Sequence, residues 1–123
     1  MHPQEHAIVK ALVSAAWADG VFADKEREMI SGLLEAWRAS AEESKEVFDY
    51  AATERGLSDI PVGELDAGDR RLVLDLAVRM SLADGVQDVS ERRFLYELAG
   101  KLRIPESEAG ARIVDASLRA RVT

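Results

Sequence analysis

Apolar residues recur along this 123-residue chain at spacings of three and four, and strict apolar–polar alternation is nearly absent. That period belongs to helices. From Pro3 to about Ala18, Ile8, Leu12 and Ala15 share one face, and Val9, Val13 and Ala16 lie beside it. So broad a stripe predicts a well-buried helix. A second helix is expected from about Asp24 to Ala39 on Met29, Ile30, Leu33, Leu34 and Trp37. Ser40 and Glu43 have the S-x-x-E spacing of a capping box and open a third. It should stop at Gly56, since glycine is the common residue just past a helix end. Its stripe of Val47, Phe48, Ala51 and Ala52 is thin, which places it on the outside.

The stretch 57–69, "LSDIPVGELDAGD", holds two glycines, a proline and four acids, and reads as a connector with room for one short helical turn. A strong helix is expected from about Ala67 to Ala83, with Leu72, Val73, Leu76, Ala77 and Met80 inward. Another should run from about Val89 to Leu102 on Phe94, Leu95, Leu98 and Leu102. Pro105 suits the first turn of a last helix carrying Ile113, Val114 and Leu118. Six to seven helices without strands predict an all-α, single-domain bundle over residues 1–123.

Composition narrows the function classes. There is no cysteine, which excludes disulfides and thiolate metal sites and fits a cytoplasmic address. Apolar runs fall far short of the ~20 residues of a membrane span. The start, "MHPQEHAIVK", lacks the basic and apolar regions of a secretory signal. The formal net charge of −7 argues against nucleic acid and against anionic membranes as partners. Residues 1–61 carry 12 acidic and 6 basic side chains, residues 62–123 carry 11 and 10. The acidic half would draw cations or a basic partner, or simply form a solvated face.

The most specific feature is a repeat. "WADGVFADKERE" at 17–28 returns 65 residues later as "LADGVQDVSERR" at 82–93. At that offset Val13/Val78, Ala18/Ala83, Asp19/Asp84, Gly20/Gly85, Val21/Val86, Glu26/Glu91, Arg27/Arg92, Leu33/Leu98 and Arg38/Arg103 are identical. The unit is helix, Asp-Gly turn, helix, used twice, and two such hairpins are expected to pack about an approximate two-fold axis. Turn chemistry alone explains part of it, because Asp bonds the backbone ahead and Gly accepts positive φ. Asp88 and Glu91 also fit a capping box, but Ala23 takes the place of Asp88 in the first copy.

A ligand reading starts from the same residues. Asp19 and Asp84 fall at helix C-termini, where the macrodipole disfavours an anion by roughly 0.3–1 kcal/mol. Asp-Gly-x5-Glu matches the second half of the EF-hand calcium loop. The acidic positions of the first half fall on Ala15 and Trp17 in one copy and on Met80 and Leu82 in the other. One half-loop cannot supply the six to eight oxygens that calcium needs. Two half-loops together would bring Asp19, Glu26, Asp84 and Glu91, with Asp24 and Asp88 nearby. Oxygen-only ligands favour Ca²⁺, Mg²⁺ or Mn²⁺. The repeated Arg27 and Arg92 offer the opposing reading, each pairing with the acids of the other hairpin without any metal.

"ADGVFADKERE" and "ADGVQDVSERRFLYELAGKLRIPESEA" resemble the TerB-like family, named for tellurite resistance, and the related helical domain ahead of some membrane-anchored J-domain co-chaperones. The resemblance spans about residues 8–115. It implies an all-helical fold, an acidic surface suspected of binding metal, protein partners in stress-response or membrane-associated complexes, and no established catalytic activity. The family's acidic motif residues fall on Asp19, Glu26, Asp84 and Glu91. The two loops differ, with Phe22 against Gln87 and Ala23 against Asp88.

Other chemistry is thin. His2 and His6, spaced i, i+4, sit at a chain end and read as ordinary exposed residues. Trp17 and Trp37 read as core. The arginines from Arg70 to Arg121 alternate with acids, as a solvated face does. With no cysteine, no histidine in the body of the chain and no Gly-rich phosphate loop, no catalytic constellation assembles, and an enzyme is not expected. Two readings remain: a TerB-like protein with a shared acidic cation site, and a helical protein-interaction module in which the repeat is architecture.

Overall fold

The computed structural model describes residues 1–18, 22, 24–81 and 89–122, with side chains for all of these except 89, 90 and 116–122. Six α-helices and two single turns of 3-10 helix make an all-α domain without strands among the described residues. They are α1 (Pro3–Ala18), α2 (Asp24–Ala36), α3 (Ala41–Ala51), α4 (Ala67–Ser81), α5 (Val89–Lys101) and α6 (Glu106–Val122). The 3-10 turns, Leu57–Asp59 and Val62–Glu64, lie between α3 and α4, so the connector holds two helical turns where one was expected. No helix among the described residues is long and apolar enough to cross a membrane.

α1 and α4 form the centre. Every residue from Ala7 to Ala16 is buried except Lys10, as the broad stripe on this helix predicts. α1 packs on α2, α3, α4 and both 3-10 turns; α4 packs on α1, α2, α5 and α6. Leu12, Val13, Ile30, Leu74, Val78, Leu95, Leu98 and Leu102 are at most 1 % exposed and fill the space between them. α3 reaches this core through Val47 and Ala51 and packs chiefly on α1, the peripheral position that its thin stripe predicts. Two inward assignments are corrected. Leu72 is 37 % exposed because α4 turns Val73, Leu74, Leu76, Ala77 and Val78 to the core instead. Val114 is 55 % exposed, on the outer face of α6.

The repeat is larger than two hairpins. α2 and α5 start 65 residues apart, and so do α3 and α6. Each half is therefore three helices, and α6 stands on α4 as α3 stands on α1. The ends of α2 and α5 match in detail. The Arg38 N–H donates to the Glu35 carbonyl and the Ala39 N–H to the Leu34 carbonyl. In the second copy the Arg103 N–H donates to Gly100 and the Ile104 N–H to Ala99. Both are Schellman caps. The residue in the left-handed region is an arginine in each, Arg38 at φ 55° and Arg103 at φ 60°. This stops α2 at Ala36, three residues before the expected end.

The N-terminal ends are capped as helix chemistry requires. The Ser40 hydroxyl accepts from the Glu43 N–H at 3.1 Å and Glu43 Oε1 from the Ser40 N–H at 2.8 Å. Asp66 and Asp69 make the same reciprocal pair at α4, at 2.8 and 3.3 Å. α3 ends at Ala51, well before Gly56: Ala52 turns its N–H onto the Asp49 carbonyl, and the Trp17 indole N–H takes the Ala51 carbonyl at 2.8 Å. A tertiary hydrogen bond from α1 thus ends this helix.

Candidate functional site

α2 and α5 each open with an acid-bearing first turn, and Glu26 and Glu91 occupy the same third position in them. There the helix dipole favours negative charge. Both glutamates are half-buried, and both line one cleft of about 70 Å³, enough for a few waters or an ion with part of its shell. Oε2 of Glu91 is shielded from solvent. Two hairpins that meet through α1 and α4 have therefore brought equivalent carboxylates to common space.

The rest of the cleft repeats the same symmetry. Ala15 faces it with its equivalent Met80, and Ala16 with its equivalent Ser81. Ala77, Phe94 and Leu95 complete the wall. Six of the nine lining residues among those described are thus three pairs related by the offset of 65, and the cleft sits where the two halves join. Among the described residues that line it, the polar side chains are the two carboxylates and the Ser81 hydroxyl, which donates to the Val78 carbonyl at 2.7 Å.

Asp19, Asp84 and Asp88 lie outside the described residues. Asp24, the first residue of α2, is exposed. Among the described residues no group of three or more histidine, aspartate or glutamate side chains gathers as a ligand set. Glu26 and Glu91 offer four oxygens between them, short of the six that the smallest calcium shell requires. The EF-hand likeness ends at the helix: Ala15 and Trp17 belong to α1, so the segment that would be the first half of a calcium loop is helical here.

Arg27 makes its described contacts within its own half, and Asp84 and Asp88 of the other hairpin lie outside the described residues. Its guanidinium stands over the rings of Phe22 and Phe48, 5.4 and 5.3 Å from their centroids, in its own half of the molecule. Phe22 in turn stacks on Trp17 at 6.0 Å. Arg92 is exposed. His2 is used in a helix cap, its Nδ1 accepting from the Gln4 N–H at 3.2 Å, and His6 Nε2 lies 3.8 Å from Glu46. Both tryptophans are half-buried against the core, as expected.

The solvated arginine face conceals a clamp. Arg71 on α4 holds Glu108 on α6 with two hydrogen bonds, the one from Nη2 at 2.8 Å. Glu108 also accepts from Arg112 Nε at 2.9 Å, and Arg112 Nη1 reaches back to Asp75 at 3.0 Å. The Arg71 and Arg112 hydrogen bonds, in that order, hold the Glu108 carboxyl down at about 2. Sequence spacing offers only its Glu108–Arg112 pair, four residues apart, because the two links between α4 and α6 join partners 37 residues apart. Ser81 was invisible, except as a lone hydroxyl at the offset partner of Ala16.

Searches of curated proteins and of solved structures give no significant match. Residues 2–115 match the family model described as "Protein of unknown function (DUF533)". That span takes in all of α1 to α5, both glutamates of the cleft and most of α6. The chain belongs to the DUF533 family.

Proposed function

We propose that this protein is a non-catalytic, TerB-like helical protein whose two halves jointly hold one divalent cation, and that it serves in the cytoplasm as part of a stress-response assembly of the tellurite-resistance type. The observation that carries the cation site is the convergence of Glu26 and Glu91, equivalent residues of the two repeats, on a single cleft. Like charges brought to one cleft repel, and an ion between them reverses the sign of the interaction. Asp19 and Asp84, each seven residues before its glutamate, are the acids that would complete the shell with backbone carbonyls and water. Such a hard, all-oxygen set suits Ca²⁺, Mg²⁺ or Mn²⁺. The TerB-like assignment rests on the doubled Asp-Gly-x5-Glu motif in paired helices, and the stress-response role on that resemblance.

Calorimetric titration with Ca²⁺, Mg²⁺ and Mn²⁺ tests the site. The expected result is one ion per chain, with binding abolished by Glu26→Gln alone and by Glu91→Gln alone, because each half supplies ligands to the same ion. Two independent half-sites would leave about one ion bound in each single variant, and that outcome refutes the shared site. No binding up to millimolar metal, in a protein with an intact helical circular dichroism spectrum, leaves the repeat as architecture for an interaction module.

A further inference from the structure

The start of α2 is tied down by contacts that the second repeat lacks the residues to make. Trp17, near the end of α1, stacks on Phe22. Arg27, in the first turn of α2, sets its guanidinium over Phe22 and also over Phe48 of α3. Trp17 donates its indole N–H to the Ala51 carbonyl at the end of α3. These contacts close a circuit through α1, residue 22, α2 and α3, and Arg27 is the member that spans two rings. At the offset of 65, Trp17, Phe22 and Phe48 give way to Leu82, Gln87 and Ile113, while the arginine is kept as Arg92.

The circuit acts locally. Arg27 is exposed, and a cation over a ring at an exposed site adds little to global stability. What it fixes is the first turn of α2, where the backbone donors have no partners within the helix and fraying begins. Glu26 is the neighbouring residue in that turn and lines the cleft shared with Glu91. A carboxylate on a loose turn would reach the cleft only part of the time. Affinity falls by the fraction of chains that are competent to bind, and cation sites are tuned by their rigidity as well as by their charge. Each repeat supplies one such glutamate, but only the first has rings at these positions to clasp the arginine beside it.

We infer that Arg27 is a positioning residue of the cation site: clasped by Phe22 and Phe48, it holds the first turn of α2 so that Glu26 is set for the ion in advance, a role that Arg92 does not share. This role rests on the cation site proposed above. Its sign separates it from simple electrostatics. Removing a positive charge beside a glutamate favours a cation, and does so at 27 and 92 alike. Removing a positioning residue weakens the site, and only at 27.

Calorimetric titration of the full chain with Ca²⁺, Mg²⁺ and Mn²⁺ tests this in wild type, Arg27→Met, Arg27→Lys, Arg92→Met and Phe22→Gln, the last placing the second repeat's residue in the first. Circular dichroism checks that each variant folds. Arg27→Met should bind about three- to tenfold more weakly than wild type, the size of two exposed cation–ring contacts. Phe22→Gln leaves every charge in place and should weaken binding too. Arg27→Lys keeps a cation over the rings and should recover most of the affinity. Arg92→Met should bind as tightly as wild type or more tightly. In chelator, the backbone order parameter of Glu26 should fall in Arg27→Met and Phe22→Gln and be kept in Arg27→Lys. Arg27→Met or Phe22→Gln binding as wild type does, an equal loss in Arg92→Met, or an unchanged order parameter overturns this role and leaves the shared cation site standing. No binding by folded wild type refutes the cation site itself, and the role with it.

Discussion

At the scale of single residues, the arginines that end α2 and α5 are the least expected choice. A left-handed residue just past a helix end is ordinarily glycine, since a β-carbon there costs roughly 1–2 kcal/mol. Here both copies place an exposed arginine in that region, Arg38 at φ 55° and Arg103 at φ 60°. Nothing in the Schellman hydrogen bonds requires a side chain, because the donors are the backbone N–H groups of residues 38, 39, 103 and 104. Arg38→Gly and Arg103→Gly should therefore each stabilise the fold by about 0.5–1 kcal/mol, the relief of strain less the greater freedom of glycine in the unfolded chain. Urea denaturation measures this. A loss of stability in either variant would mean that the guanidinium makes a contact worth more than the strain. The position was visible in the sequence as one of the identities at the offset of 65, but its backbone conformation was not, since arginine carries no mark of positive φ.

At the scale of elements, what could be read in advance was what depends on neighbours along the chain. The buried face of α1, the Ser40–Glu43 box and the start of α6 after Pro105 follow from local spacing and cap chemistry. Where tertiary contacts decide, the expectation failed. α3 stops five residues before Gly56 because Trp17, 34 positions away, takes its last carbonyl. Leu72 turns outward because its neighbours on α4 bury better. The α4–α6 clamp is of the same kind and makes a distinct prediction in pH. The Glu108 carboxyl is held at about 2, below the ordinary 4.5, chiefly by Arg71 and then by Arg112. A carboxyl lowered on folding contributes stability that is fully present above its unfolded pKa and is lost as pH falls through the folded one. The difference in unfolding free energy between wild type and Glu108→Gln should thus be constant above about pH 5 and shrink from there towards pH 2. Denaturation curves at a series of pH values check it. A difference that does not change over that interval would show that the clamp holds no charge on Glu108 that the unfolded chain lacks.

At the scale of the whole molecule, the duplication sets what the cleft can do. The sequence placed Glu26 and Glu91 at equivalent positions but could not say whether they meet, because that depends on how α1 and α4 cross. Both line one cleft, and Ala15, Met80, Ala16 and Ser81 line it with them. If the two carboxylates share one field, their effects on stability cannot be independent. Without metal, in a chelator, each of Glu26→Gln and Glu91→Gln removes the same mutual repulsion, and it can be removed only once. The double variant should then gain less than the sum of the two single changes, with a coupling of about 0.5 kcal/mol or more, whereas separated sites add to within ~0.3–0.5 kcal/mol. With the proposed cation at a hundred times its dissociation constant, the wild type should gain about 2.7 kcal/mol and either single variant almost nothing. The two arms fail separately. Additivity in chelator would mean that the glutamates do not sense each other, and the shared site would lose its physical basis. Coupling in chelator without stabilisation by Ca²⁺, Mg²⁺ or Mn²⁺ would keep the geometry and remove the metal.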